Sequence, residues 1–241
     1  MTGPSNDMSL AEARSGATPT PLIAAAFVLS FSSGAIDAFA FLNLGGIFTA
    51  NMTGNLILAG MYTRPEYVAT LAGAAVAILA FAGTLFAGFR LTDARLESRR
   101  PRVPTLLWVS AIIQGVVLGA WIATEGVGVG ARLLLIALSA AALALQTAGA
   151  RRITELGGVM TTYVTGTMTS VVHDLADRRD GHVWIRAGSI FTLVAGAVTG
   201  TAVVTVTPAV APLISAVAAI VAVVLVRGAS HRAADAADSR S

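Results

Sequence analysis

Six stretches of the chain are apolar for long enough to cross the hydrocarbon core of a bilayer, which takes about 20 helical residues. They run over roughly 21–43, 67–89, 105–124, 132–150, 184–206 and 209–226. Two other stretches, 44–63 and 156–177, fill gaps between them. Both are too short, too glycine-rich and too polar for a comfortable span. Both also open on the same pattern. Leu44-Gly45-Gly46-Ile47-Phe48-Thr49-Ala50-Asn51-Met52-Thr53-Gly54-Asn55 returns as Leu156-Gly157-Gly158-Val159-Met160-Thr161-Thr162-Tyr163-Val164-Thr165-Gly166-Thr167, a constant offset of 112 residues. The chain is therefore two similar halves, 21–124 and 132–226.

Arginine placement decides how the short stretches run. If all eight segments cross and the N-terminus is cytoplasmic, the 16 basic residues, all of them Arg, divide nine inside to seven outside. If both short stretches dip in and return to the same face, only Arg64 and Arg132 stay outside and the other fourteen lie inside. Cytoplasmic loops carry the excess of basic residues, which favours the second arrangement. Each half then has three spans, an odd number, so the second half enters upside down relative to the first. The predicted fold is an all-α membrane protein: six transmembrane helices plus two re-entrant half-helices in an inverted-topology 3+3 repeat.

Composition agrees. Of 241 residues, 55% are hydrophobic and 12% charged, and the mean hydropathy is +0.76; soluble domains carry about 25% charged residues. The absence of cysteine excludes disulfides and thiolate metal sites. A pI near 10.2 could suggest nucleic acid as a partner. The arginines flank apolar spans instead, so no nucleic-acid partner is expected. Residues 1–20 read as a disordered cytoplasmic tail without the basic start of a signal peptide. Residues 228–241 read as a second tail, and 21–227 as a single transmembrane domain.

Within each copy the residue types have physical roles. Gly45-Gly46 and Gly157-Gly158 can take positive φ and allow close backbone approach. Thr53 and Thr165 read as N-caps of short helices. A ten-residue helix is about 15 Å long, so its N-terminus, with a partial charge of roughly +0.5, would sit near the bilayer midplane. A midplane site for a small solute is thus expected from Gly45, Gly46, Thr49, Asn51, Thr53, Asn55, Gly157, Gly158, Thr161, Tyr163, Thr165 and Thr167. The bland alternative is that these glycines only let helices pack closely, the role expected of Gly115…Gly119 and Gly196…Gly200.

Asp37 lies inside the first span, where a carboxylate costs about 2.5–3.5 kcal/mol near the centre of a helix. It reads either as a proton or cation site or as half of an ion pair with Arg151 or Arg152. Under the 112-residue offset Arg151 aligns with Phe39, and Gly149 with Asp37. Gln114 and Gln146 read as interhelical hydrogen-bonding groups. Thr199, Thr201 and Thr205 are expected to bond back to their own helix. His173-Asp174 reads as a proton relay or, more simply, as a solvated interface. Trp108, Trp121 and Trp184 stand near span ends, as interfacial aromatics do. No zinc spacing, P-loop, GxSxG or HExxH occurs, so no metal, cofactor or catalytic residue is expected.

The run Ser33-Gly34-Ala35-Ile36-Asp37-Ala38-Phe39-Ala40-Phe41-Leu42, followed by Leu44-Gly45-Gly46-Ile47-Phe48 and Asn51-Met52-Thr53-Gly54-Asn55, resembles the YoaK-type family of bacterial integral membrane proteins, catalogued as a domain of unknown function. The resemblance is strongest over 30–60 and weaker over 150–180. It implies a multi-pass protein of the bacterial inner membrane and supplies no substrate. From the residues, the expected function is passage of an unknown small solute, with the lipid bilayer as the other partner and homo-oligomerisation left open. The alternative is a non-transporting module for assembly or lipid interaction.

Overall fold

The computed structural model describes residues 20–92, 103–124, 128–157, 164–177 and 183–238, all helix, turn or loop. The helices are α1 (Thr20–Asn43), α2 (Met52–Gly60), α3 (Tyr67–Leu91), α4 (Val103–Thr124), α5 (Val129–Gly157), α6 (Val164–Ala176), α7 (Val183–Val206) and α8 (Leu213–Asp238), with a short 3₁₀ turn at Pro208–Val210. Six of them, all but α2 and α6, are long and apolar enough to cross a membrane. Their bounds fall within a few residues of the predicted spans except at two C-termini. There α5 runs on to Gly157, and α8 continues past residue 227 to Asp238. Both extensions are rich in good helix formers such as Ala, Arg and Leu. Part of the expected C-terminal tail is therefore helical.

The long helices alternate in direction. At one end of the bundle the Trp121 ring near the close of α4 stands edge-on to Phe39 of α1, centroids 4.9 Å apart. The Trp121 indole N–H donates to the Pro208 carbonyl ahead of α8, at 2.8 Å. The Arg64 side chain, before α3, lies against Gly46, and that of Arg132, early in α5, against Gly45. At the other end Arg152 of α5 donates to the Thr92 hydroxyl beyond α3 (3.2 Å). There too Phe27 of α1 meets Gly188 of α7, and Arg227 of α8 lies over the Trp108 ring of α4. The end of α1 and the start of α3 therefore share one end of the bundle, and the end of α5 and the start of α7 share the other.

Neighbour relations repeat between the halves. Helix α1 packs on α7 and α3 on α5; α1 packs on α8 and α5 on α4; α2 lies on α3 and α6 on α7. Exchanging α1–α4 with α5–α8 leaves this pattern unchanged, with the α4–α8 and α1–α5 contacts mapping onto themselves. The core lies between α1, α4, α5 and α8. One cluster gathers Ile36, Phe39, Val117, Trp121, Ile136 and Leu143, and a second Ala25, Leu29, Leu107, Val223 and Val226.

In lipid, apolar burial does not favour helix association, so backbone approach and van der Waals contact must. The α1–α7 seam shows how. A Cβ at Gly34 would collide with the Leu193 carbonyl oxygen, one at Gly196 with the Phe31 carbonyl oxygen, and one at Gly200 would lie 2.6 Å from the Ala35 carbonyl oxygen. The expected packing role thus holds for Gly196 and Gly200. It does not hold for Gly115 and Gly119, which meet nothing within 4 Å among the described residues; they lie on an outward face of α4.

Candidate functional site

Asp37 sits six residues before the end of α1 and is partly buried. Its Oδ1 accepts three hydrogen bonds: from the Thr49 amide (2.6 Å), the Thr49 hydroxyl (2.9 Å) and the Ala50 amide (2.8 Å). At 1.5 Å per residue, that level is about 9 Å back along α1 from its end. The loop after α1 therefore turns inward alongside its own helix. Gly45 and Gly46, at φ of 88° and 74°, make the reversal, a conformation that side chains resist. The expected positive φ at this pair is what the structure has.

The rest of the loop closes on itself. Asn55 is fully buried; its Oδ1 accepts from the Phe48 amide (3.0 Å) and its Nδ2 donates to the Phe48 carbonyl (2.7 Å). Phe48 stacks on Phe41, centroids 4.8 Å apart. Asn51, rather than the expected Thr53, caps α2: its side chain accepts from the Gly54 amide at 3.0 Å, satisfying one of the donors a helix start leaves free. Asn fits because its short carbonyl reaches three residues on, and Thr53 is already inside the first turn and exposed. The positive end of α2 therefore meets the protein's own carboxylate, Asp37, just ahead of it. Thr49, Asn51 and Asn55 spend hydrogen bonds on folding the loop.

The expected ion pair is corrected. Asp37 is held by Thr49 and Ala50, and Arg152 reaches Thr92 and the Phe89 ring at the opposite end of the bundle. Arg151 precedes Arg152 on the same helix end. The repeat aligns the ends of α1 and α5 in sequence, yet those ends point in opposite directions. From Arg132, beside Gly45, to Arg152 is about 20 helical residues, about 30 Å.

The second copy is built differently. Gly157 closes α5 as helix, and Thr165 is the second residue of α6. Thr167 is buried. Gly158, Thr161 and Tyr163 lie outside the described residues. The position matching Asp37 is Gly149, where a Cβ would be 3.1 Å from Leu107 Cδ2; the α4–α5 seam leaves no room for a carboxylate. Helix α6 is tied to α7 by an ion pair between Asp174 and Arg186. His173 is 63% exposed beside Asp174 and Asp177, the solvated arrangement rather than a buried relay. Helices α2 and α6 pack mainly on α3 and α7, respectively, among the described residues.

Other polar groups divide by partner. Gln146 donates to Ser110 Oγ (3.1 Å), and Ser110 to the Ala142 carbonyl (2.9 Å). Gln114, expected to bond between helices, leaves both side-chain polar atoms buried without a partner among the described residues, as does Ser139 Oγ. The sequence signal for Ser110 and Ser139 is their spacing: Ser110…Gln114 (four) and Ser139…Gln146 (seven) each place two polar groups on one helix face. Thr199, Thr201 and Thr205 donate to Ala195, Ala197 and Ala202 of their own helix, as expected. Trp121, expected at an interface, is a buried core residue. Trp184 is 88% exposed.

The family model described as "Protein of unknown function (DUF1275)" matches residues 25–226. A relative, the "UPF0700 transmembrane protein YoaK" of Bacillus subtilis (strain 168), is 28% identical over 159 residues, which is 63% of this chain and 66% of the relative. This chain thus spans just under two thirds of that relative's length. No solved structure matches. Six membrane-length apolar helices and a family match across nearly all of them lead to one identification: this chain is a multi-pass integral membrane protein of the DUF1275 family.

Proposed function

We propose that the protein passes a small solute through the membrane and is not an enzyme. Its two short helices are re-entrant half-helices of an inverted 3+3 repeat. The observation that carries this reading is the exchange pattern of helix neighbours, with α2 returning to the end where it began and α6 to the other end. Inverted repeats with broken helices are a common transporter construction. Non-helical backbone at membrane depth is tolerated where protein buries it or water lines it; the Asp37–Thr49 clamp is the burying kind.

The duplicated Gly-Gly and Thr-Gly loops frame the path rather than supply all its ligands. With Asp37 already at the start of α2, a second anion there is not needed. The solute is therefore uncharged. Stopped-flow light scattering of proteoliposomes with water, urea, glycerol and formate tests this. Flux of at least one above that of protein-free vesicles supports transport; background rates for all four overturn it. One observation favours the non-transporting alternative: the polar groups of the first loop are consumed internally, as a purely structural loop would have them.

The same reading puts both termini on the cytoplasmic side of the bacterial inner membrane, because fourteen of the sixteen arginines fall on that side. Since the chain has no cysteine, single introduced sites report cleanly. Glu66→Cys should be labelled from outside the cell by an impermeant maleimide, and Glu97→Cys only after permeabilisation. Labelling of residue 97 in intact cells would sink the topology.

A further inference from the structure

Midway along the α4–α5 seam, buried polar atoms lack protein partners among the described residues. Gln114 is the twelfth of the 22 residues of α4 and Ser139 the eleventh residue of α5, counted from Val129. Both have no solvent exposure. The helices run antiparallel in a register fixed by three contacts: Ser110 to Ala142, Gln146 to Ser110, and Leu107 against Gly149. Continuing that register one turn sets Gln114 opposite Ser139. There, Gln114 Nε2, Gln114 Oε1 and Ser139 Oγ lack any hydrogen-bond partner among the described residues, and so, further along α5, does Gln146 Oε1.

A buried amide without partners keeps the full penalty of leaving water, and in hydrocarbon surroundings the cost is higher. Nearly all buried polar atoms elsewhere in proteins find a partner, whether protein or ordered water. Four orphaned atoms in one stretch of seam at the centre of a membrane bundle therefore call for a guest. Its chemistry follows from theirs. Gln114 offers two donors and an acceptor, Ser139 one donor and acceptor, and Gln146 an acceptor. There is no formal charge on α4 before its end, nor on α5 between Arg132 and Arg151. A bare ion there would lack a countercharge; an uncharged molecule that both donates and accepts would satisfy the set. A water needs two to four polar partners, which this set provides.

We propose that Gln114, Ser139 and Gln146, braced by Ser110, form a midplane binding site for a small uncharged hydrogen-bonding molecule, water being the smallest. This site is distinct from the Gly-Gly and Thr-Gly loops. If transport holds, it is the point where the solute is read.

The near-isosteric Ser139→Cys tests it. The probe is methyl methanethiosulfonate, small and neutral, with modification followed by mass spectrometry in a folded, monodisperse preparation. Ala140→Cys, one residue along and packed in the apolar core, is the control. A thiol in a wet polar site forms its reactive thiolate far more readily than one in a dry core. The thiol introduced at position 139 should react at least tenfold faster than the one at position 140, and Gln114→Leu added to Ser139→Cys should slow it by a similar factor. Equal, slow rates at 139 and 140 would overturn the site. Should Ser139→Cys fail to fold, an experimental density map of the native protein decides. Solvent density within hydrogen-bond distance of the Gln114 amide supports the site, and a Gln114 amide bonded to protein groups alone overturns it. The site and the transport reading fail separately: flux with an inert thiol at 139 removes the site, and a reactive thiol at 139 without flux removes transport.

Discussion

Asp37→Ala should lower the melting temperature of the detergent-purified protein by roughly 5–15 °C. The carboxylate accepts three hydrogen bonds on one oxygen, and its loss strands the Thr49 and Ala50 amides inside the bundle. Leaving buried donors unsatisfied costs about 1–3 kcal/mol each. Part is recovered as water enters the loop, so the expected net is about 2–4 kcal/mol, and each kcal/mol shifts the midpoint by about 2–4 °C at this chain length. Asp37→Asn keeps one carbonyl acceptor and loses only the charge assistance. It should fall between wild type and Asp37→Ala. The measurement is the fraction monodisperse by size exclusion after graded heating. An Asp37→Ala protein with an unchanged midpoint would remove the clamp as a structural element. Arg152→Ala serves as a comparison, because it should act through Thr92 and Phe89 and leave the α1 loop intact.

The second large effect belongs to the α1–α7 seam. Gly34→Leu or Gly196→Leu should abolish recovery of folded protein from membranes, and Gly196→Ala should reduce it severely. At both positions the added carbon meets a backbone carbonyl of the facing helix, which cannot swing aside as a flexible side chain would. Overpacking a core costs about 1–3 kcal/mol where neighbours can shift, and more where they cannot. Gly34→Ala and Gly196→Ala combined should cost less than their sum, since either one already separates the helices. Gly115→Ala and Gly119→Ala are the counterpart. With nothing described within 4 Å of either, each should leave the midpoint unchanged or raise it, as Ala exceeds Gly in helix propensity by about 1 kcal/mol. A Gly115→Ala protein as unstable as Gly196→Ala would mean that a second chain packs on that face of α4.

Hydropathy located the six long helices because a bilayer demands about 20 apolar residues and leaves little freedom in where they begin. It fell short at the C-terminal ends of α5 and α8, where polar helix formers extend the helix beyond the apolar run. The demand that Asp37 have a partner was legible from the cost of burying a carboxylate. Its identity was not. A linear offset pairs Asp37 with the end of α5, whereas alternating helix direction puts that end about 20 Å from Asp37 along the bundle. The Asn55 and Asn51 bonds depend on a turn whose shape only the folded Gly45-Gly46 backbone fixes. Trp121 looked interfacial from its place near a span end, but the 3₁₀ turn at Pro208 brings a carbonyl to its indole and buries it. Gln114 and Gln146 look alike in sequence; only the α4–α5 register shows one partnered through Ser110 and the other not.

The Asp37 clamp also decides which parts of the molecule open together. Amides in a segment without regular structure ordinarily exchange their hydrogens quickly, since nothing but solvent holds them. Thr49 and Ala50 are in such a segment, yet their N–H groups end on a side chain of α1. Releasing them requires the carboxylate to move, and the carboxylate moves only when that part of α1 does. The loop ahead of α2 therefore belongs to the cooperative unit of α1. In deuterium exchange those two amides should keep pace with the middle of α1. They should be slower than the Tyr62 and Arg64 amides, whose bonds to the Gly60 and Met61 carbonyls stay within their own turn.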